Sequence, residues 1–408
     1  MPLMKYLSVL GLSFVLFAGT AHAESTLLPS LSVGEQYNDN IYLQSTNPQH
    51  DYITEIIPSL TGHYQTPLWT WDANLSLQYL YYDIHHENTQ TNPSVYVRNL
   101  TNLWDPYLHV ETIEDYRKVS TSLVTNYAQQ SPFVNQTKQN IFTLHPYLTV
   151  TPFQNTTLQY GHKFIDYRYN NGSGIDRIDN IDYLESTTAI SSRLTYTLGA
   201  RVTREQNDVN NYDQSDIYTG LRYAYAENSA VFGLVTKSWI DYQVGLNQNY
   251  WGWDVGLNHH IAEYTINLES SSVPEPDPSN IGTRLELYQA TIMRTTPRSS
   301  ISVGYGLSEY INGTLNETTS IARAVHGDFT YHFTPRLSGT ATSLYQDTND
   351  KETNSYIYLS QSSLRSDYKL TEKINMSLWY TYIHSYAPVI TTDNYKNNQA
   401  NIQFTMTF

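Results

Sequence analysis

The 408-residue chain contains no cysteine. Disulfides and thiolate metal sites are therefore excluded, and the fold rests on packing and hydrogen bonding alone. Charge is also scarce, at 15% of residues, and one-sided: 23 basic residues stand against 38 acidic ones, a formal net charge of −15. That balance argues against nucleic acid as a partner, because such binding needs clustered Lys and Arg. Long apolar runs are nearly absent. The one candidate, Tyr6 to Phe17, is shorter than the roughly 20 residues that a membrane-spanning helix needs. No other stretch comes close, so membrane helices are excluded. Helical periodicity of useful length is missing as well.

The single apolar run has a meaning of its own. Lys5 precedes it and Ala21-His22-Ala23, a small-x-small pattern, follows it. This is the build of a secretory signal peptide. We expect residues 1–23 to be removed, with cleavage near Ala23, and residues 24–408 to form one domain. The removed segment carries only Lys5, so the mature balance is 22 minus 38, or −16.

What the chain has in quantity is tyrosine: 37, against 11 Phe and 7 Trp. An apolar ring with a polar tip suits membrane interfaces and wet, sugar-lined surfaces. The chain also has strands. Its last ten residues place Ala400, Ile402, Phe404, Met406 and Phe408 on one parity and Gln399, Asn401, Gln403, Thr405 and Thr407 on the other. Successive strand side chains point to opposite faces, so this is one apolar and one polar face. In a soluble protein such an edge would invite aggregation. In a barrel it closes onto strand one with its apolar face in lipid. The segment resembles the C-terminal signal by which bacterial outer-membrane barrels are recognised for assembly, and Phe404, Met406 and Phe408 carry that resemblance.

Tight turns recur along the chain. Thr66-Pro67, Asp105-Pro106, Thr151-Pro152, Thr296-Pro297 and Thr334-Pro335 carry one signature. Ser191-Ser192-Arg193, Ala226-Glu227-Asn228, Ala262-Glu263 and Thr371-Glu372-Lys373 hold equivalent places. Proline presets a turn and cannot continue a central strand. The intervening strands alternate. Leu194, Tyr196, Leu198, Ala200 and Val202 oppose Thr195, Thr197, Gly199, Arg201 and Thr203, and Ile301, Val303, Tyr305 and Leu307 oppose Ser300, Ser302, Gly304 and Gly306. The other connections are polar and longer, such as Gln44 to His50 and His85 to Pro93. Short turns on one side and long loops on the other match periplasmic and extracellular connections. Nine turns with both ends periplasmic give two times nine plus two, or 20 strands. The expectation is an all-β, up-and-down antiparallel transmembrane barrel of about 20 strands, with 16 to 20 as the range. Strand one starts close behind the cleavage site, so no plug domain is expected. A propeller has a similar repeat length but needs four short strands per period, where two long ones fit here. Trp69, Trp71, Trp104, Tyr107 and Phe333 are expected in the periplasmic aromatic belt. Tyr81, Tyr82, Tyr116, Tyr167, Tyr169, Tyr305 and Tyr382 are expected in the matching belt near the loops.

The opening strand reads Val33-Gly34-Glu35-Gln36-Tyr37-Asn38-Asp39-Asn40-Ile41, and the next carries Ile56-Ile57-Pro58-Ser59-Leu60. Leu144-His145-Pro146-Tyr147-Leu148 repeats the Pro-x-Leu pattern. The combination resembles the porin-type outer-membrane barrels of exopolysaccharide and exosortase (PEP-CTERM) loci. The resemblance is architectural and covers the mature chain. It implies a channel or wall component for polysaccharide export in the outer membrane of a Gram-negative bacterium. The implied partners are lipid and lipopolysaccharide, the barrel-assembly machinery, and polysaccharide or periplasmic export proteins. It supplies no catalytic residues.

Sites of other chemistry are weak. His85-His86-Glu87 and His259-His260 are neighbours on strands or loops, and adjacent strand residues point apart, so each pair is a poor metal site. Asp176, Asp179 and Asp182 beside Asn171-Gly172-Ser173-Gly174 offer calcium-type oxygens, but without helix-loop-helix spacing. No Gly-x-Ser-x-Gly motif is present. We expect no enzyme activity, no cofactor and no metal. The candidate lumen residues are Glu111, Asp115, Lys163, Arg201, Tyr147 and Tyr218. The longest loop candidate, Arg117 to Lys138, reads equally as an infolded constriction, a rim loop or an extra hairpin. The leading functional expectation is a channel for exopolysaccharide export. The alternatives are a passive porin for small solutes, a structural or adhesive barrel, and a barrel hydrolase.

Overall fold

Apolar–polar alternation sustained over a whole chain leaves two faces to satisfy, and closing the sheet on itself satisfies both without a free edge. The computed structural model shows that solution. It describes residues 24–121, 136–170, 174–245, 247–274, 283–312, 315–351, 354–389 and 393–408. They form one 20-stranded antiparallel sheet. The strands are β1 (Glu24–Asn38), β2 (Asp51–Gln65), β3 (Trp69–Tyr82), β4 (Gln90–Trp104), β5 (Leu108–Ser120), β6 (Gln136–Phe153) and β7 (Thr156–Tyr169). They continue with β8 (Arg177–Ala189), β9 (Leu194–Asn207), β10 (Tyr212–Ala226), β11 (Ser229–Tyr242), β12 (Gln248–Ile261), β13 (Tyr264–Pro274) and β14 (Arg284–Thr295). The last six are β15 (Ser299–Asn312), β16 (Glu317–Thr334), β17 (Leu337–Asp350), β18 (Ser355–Lys369), β19 (Ile374–Tyr386) and β20 (Tyr395–Thr407). Each strand pairs with its sequence neighbours. β20 closes on β1, with Ser30 opposite Thr407 and Asn38 opposite Gln399. The amide of Phe408 adds one bond past the strand, to the carbonyl of Pro29 at 3.0 Å.

The two faces separate as the alternation requires. Leu198 is 46% exposed and Val303 55% exposed on the outer wall, while Ser302 on the inner wall donates to Asp328 at 3.2 Å. The outer face of β5 to β8 departs from the rule. There Glu114, Asp166 and the pair His162–Asp182, 2.8 Å apart, interrupt the apolar band. Pro58 and Pro146 explain themselves through the ladder. The β2–β3 pairing skips from Ile56 to Ser59 and the β6–β7 pairing from Leu144 to Tyr147, each beside the proline that lacks an amide hydrogen.

Three expectations need correction. The turn placed at Thr151-Pro152 falls at Gln154-Asn155, because β6 runs on to Phe153. Arg117 to Ser120 and Gln136 to Lys138 are strand, so the connection is shorter at both ends than expected; residues 122–135 lie outside the described residues. Tyr82, Tyr167 and Tyr169 are not belt residues. They are buried on the inner face near the loops, at 0%, 8% and 7% exposure, because their parity puts them inside.

Candidate functional site in the lumen

The inner wall carries a row of polar and aromatic residues, interrupted by one glycine. Asn102 opposes His109, which opposes Tyr147, then Gly161 and Tyr183. Arg201, Asp216, Ser238 and Tyr250 continue it. Directly opposed residues of antiparallel strands share a face. The row starts beside the short turn at Asp105–Tyr107 and ends next to the loop after Tyr242. It climbs because barrel strands are tilted, so a line perpendicular to them rises along the axis. One staircase of ring and hydrogen-bonding groups therefore connects the short-turn end of the lumen to the long-loop end.

Two glycines seat the rings. A Cβ on Gly161 would stand 2.5 Å from the Tyr183 ring, and one on Gly199 would stand 2.2 Å from the Tyr218 ring. No larger residue leaves room for a tyrosine lying flat against the neighbouring strand. His109 stacks on Tyr147 with ring centroids 5.0 Å apart, and His145 lies 4.9 Å from the same ring.

Hydrogen bonds hold these side chains in place. The Arg98 Nε donates to Glu111 Oε1 at 2.7 Å. His145 Nδ1 lies 3.4 Å from the other Glu111 oxygen, and its Nε2 lies 2.9 Å from Tyr183 Oη. Tyr183 donates to Gln159 Oε1 at 3.0 Å, and Tyr218 donates to Glu185 Oε2 at 3.0 Å. Arg201 Nε and Nη2 converge on Asp216 Oδ2 at 2.8 and 2.6 Å. Most of these groups are charge-assisted pairs, which fix orientation better than neutral ones.

Of the residues singled out in sequence, Glu111, Tyr147, Lys163, Arg201 and Tyr218 share this face of the wall. Asp115 shares it too, higher up, where Arg117 Nε lies 3.3 Å away. Arg98, His145, Tyr183, Glu185 and Asp216 belong to the same network and were not singled out. Their parity alone was available as a signal; their convergence needs the pairing register. Phe404, Met406 and Phe408 stand on the outer wall at the seam, 43%, 40% and 58% exposed.

The long-loop mouth holds a second arrangement. The connection from Asp39 to His50 folds into the lumen. Ile41, fully buried, packs with Ile53, Leu80 and Tyr82, and Leu43 packs with Ile383, Tyr395 and Leu359. Two apolar side chains of one loop thus reach inner-wall clusters on β2–β3 and on β18–β20. The Asn38-Asp39-Asn40 stretch ties the loop to the seam. Asp39 takes the amide and the side-chain nitrogen of Asn398, both at 2.6 Å. Asn40 accepts from the amide of Gln44 at 2.8 Å and donates to the carbonyls of Gln44 and Lys396 at 2.9 and 3.0 Å. The motif read as part of strand one is therefore the hinge of an infolded loop. A connection read only as polar thus lies against the inner wall at two places.

His85 has a structural post in the same lid. Asp51, buried, accepts from the amides of Ile84 and His85 and lies 2.8 Å from His85 Nδ1. The other ring nitrogen lies 2.6 Å from Gln49 Oε1. Both nitrogens are thus engaged without a metal, and the residue is not a freely solvated loop group either. The three aspartates near the Gly-rich connection do not converge. Asp176 caps the amide of Tyr169 at 2.8 Å, Asp179 faces inward beside Glu205, and Asp182 faces outward to His162.

With 95% of this chain aligned, the ferric enterobactin receptor PfeA of Pseudomonas aeruginosa matches at a TM-score of 0.55 and 10% identity, over 82% of that chain. The siderophore receptor PirA of the same organism matches at 0.52 and 10% identity, over 95% of this chain and 81% of that one. This chain has the fold of an outer-membrane β-barrel. At that identity the likeness speaks for the fold alone. The P. aeruginosa protein OccK7 (OpdD) aligns over 95% of this chain and 99% of its own, with a TM-score of 0.45 and 9% identity. No protein-family model matches the barrel, and no curated protein matches it by sequence.

Proposed function

We propose that the barrel is an outer-membrane channel that passes saccharide chains, in keeping with its resemblance to barrels of exopolysaccharide loci. The observation that carries this reading is the inner-wall staircase. Tyr147, Tyr183 and Tyr218 are half-buried, so part of each ring remains open to the lumen. Sugar C–H surfaces pack on such faces, while Gln159, Glu185 and Arg98 offer hydrogen-bond partners for hydroxyls. A path of repeated weak sites lets a chain enter and also leave. Catalysis forms no part of this reading: the His145–Glu111 pair is completed by a tyrosine, not by a serine nucleophile. Export through the assembled barrel in the outer membrane, with periplasmic partners, is the direction we assign.

The test is current interruption in a planar bilayer by a neutral oligosaccharide such as maltohexaose. Losing two ring platforms removes about 1–3 kcal/mol, so Tyr147→Ala with Tyr183→Ala should weaken the block about tenfold. Equal block of both proteins would leave a passive porin for small solutes as the better reading.

A further inference from the structure

We propose that the periplasmic mouth carries a carboxylate-binding pocket that docks an acidic peptide segment of a periplasmic partner protein. A cavity of ≈ 440 Å³ lies on the inner wall where β16 to β20 meet the periplasm, and it is lined by His332, Arg336, Arg365, Lys369 and Asp367 among uncharged residues that are mostly polar. Three permanent cations face one carboxylate there, in a chain whose net charge is −15. Asp367 is already engaged: Arg365 Nη2 lies 2.8 Å from it and Ser377 Oγ donates to it at 2.5 Å. The ammonium of Lys369 and the guanidinium of Arg336 are exposed and make no ion pair among the described residues.

The pocket continues onto a basic rim. The turns on that side repeat one construction, in which a threonine hydroxyl receives the amide of a basic residue two positions on. Thr296 receives Arg298 at 3.4 Å, Thr334 receives Arg336 at 3.2 Å and Thr371 receives Lys373 at 3.2 Å. Each hydroxyl also receives the next amide at 3.0 Å, which fixes the turn and with it the position of the basic side chain. The Thr371 turn also carries Glu372; among the other turns of this end, Asp105 and Glu227 are acidic and Arg193 is basic.

The lumen beyond the pocket decides what the ligand is. Glu55 and Glu185 on the inner wall take their side-chain bonds from Gln78, Gln403 and Tyr218, all neutral, and make no ion pair among the described residues. An acidic polymer passing inward would meet that field. An acidic segment that stops at the mouth would not, and the pocket sits at the rim where a partner reaches it from the periplasm. A peptide that is polyanionic at neutral pH, such as hexaglutamate, supplies the matching chemistry.

The experiment titrates labelled hexaglutamate into the detergent-solubilised barrel at low salt, with heat-modifiable migration confirming that every variant is folded. The substituted side chains are exposed and leave the wall unchanged. Arg336→Ala with Lys369→Ala should weaken binding about tenfold or more, and 1 M salt, where the Debye length is ~3 Å, should do the same to the unaltered barrel. Arg193→Ala, which removes a basic turn residue on the opposite side of the barrel, should leave the affinity unchanged. Absence of binding, or equal weakening by Arg193→Ala, would overturn the proposal. Displacement of the peptide by trigalacturonate at lower concentration than by unlabelled peptide would also overturn it, by assigning the pocket to an acidic sugar.

Discussion

At the scale of single residues, one position of parity decides whether a side chain meets hydrocarbon or water. Leu198 and Thr197 are neighbours, yet Leu198 stands exposed on the outer wall while Thr197 opposes Gly220 on the inner one. An arginine at a lipid-facing midplane position costs roughly 2–4 kcal/mol, and the same residue in a watered lumen costs little. Leu198→Arg should therefore give poorly folded barrel, and Thr197→Arg should fold as the unaltered chain does. Heat-modifiable migration and urea titration compare them; equal folding of both would show the register to be wrong. The glycines act at the same scale. Gly199→Ala places a methyl group 2.2 Å from the Tyr218 ring, so the ring must leave its seat and its bond to Glu185. Saccharide block should weaken in that variant while the wall stays closed.

At the scale of elements, strands were legible and the loop that matters was not. Period-two alternation and threonine–proline turns name the hairpins because both follow from local chemistry, and β9, β15 and β20 are found where their patterns run. The candidate site was legible in part. Glu111, Tyr147, Arg201 and Tyr218 could be assigned to the inner face from parity, whereas Arg98 and His145 join Glu111 only through register across β4, β5 and β6. The infolded loop was hidden for a different reason. Asn38-Asp39-Asn40 satisfies backbone groups of β20, some 360 positions away in sequence, and no local pattern signals that. Its residues then read only as a polar connection. Bonds to a charged group contribute about 1.5–3 kcal/mol each, so Asp39→Ala with Asn40→Ala should release the loop without opening the wall. Single-channel recordings should show a larger open conductance and faster digestion of the loop by added protease. Unchanged conductance and digestion would mean that Ile41 and Leu43 alone hold the loop.

At the scale of the whole molecule, 20 strands place this barrel between the 16–18-stranded open porins and the plugged 22-stranded transporters. Its closure runs through the last strand, β20, which pairs with β1. Removing Phe408 deletes the bond to Pro29 and the last outward aromatic, and we predict accumulation of the truncated chain in the periplasm. Fractionation after expression decides that point; normal yield in the outer membrane would dissociate Phe404, Met406 and Phe408 from assembly. The central claim is that the lumen conducts and that its inner wall sets what passes. Glu55 and Glu185 on the inner wall make no ion pair among the described residues, in a chain of net charge −15, and fixed negative charge favours cations. The most direct measurement is the reversal potential of the purified barrel in a planar bilayer across a salt gradient. A conducting pore with mild cation preference, fading toward 1 M salt and reduced by Glu111→Gln with Asp115→Asn, is the result expected here. A barrel that is folded yet carries no current, or one that selects anions, would contradict it.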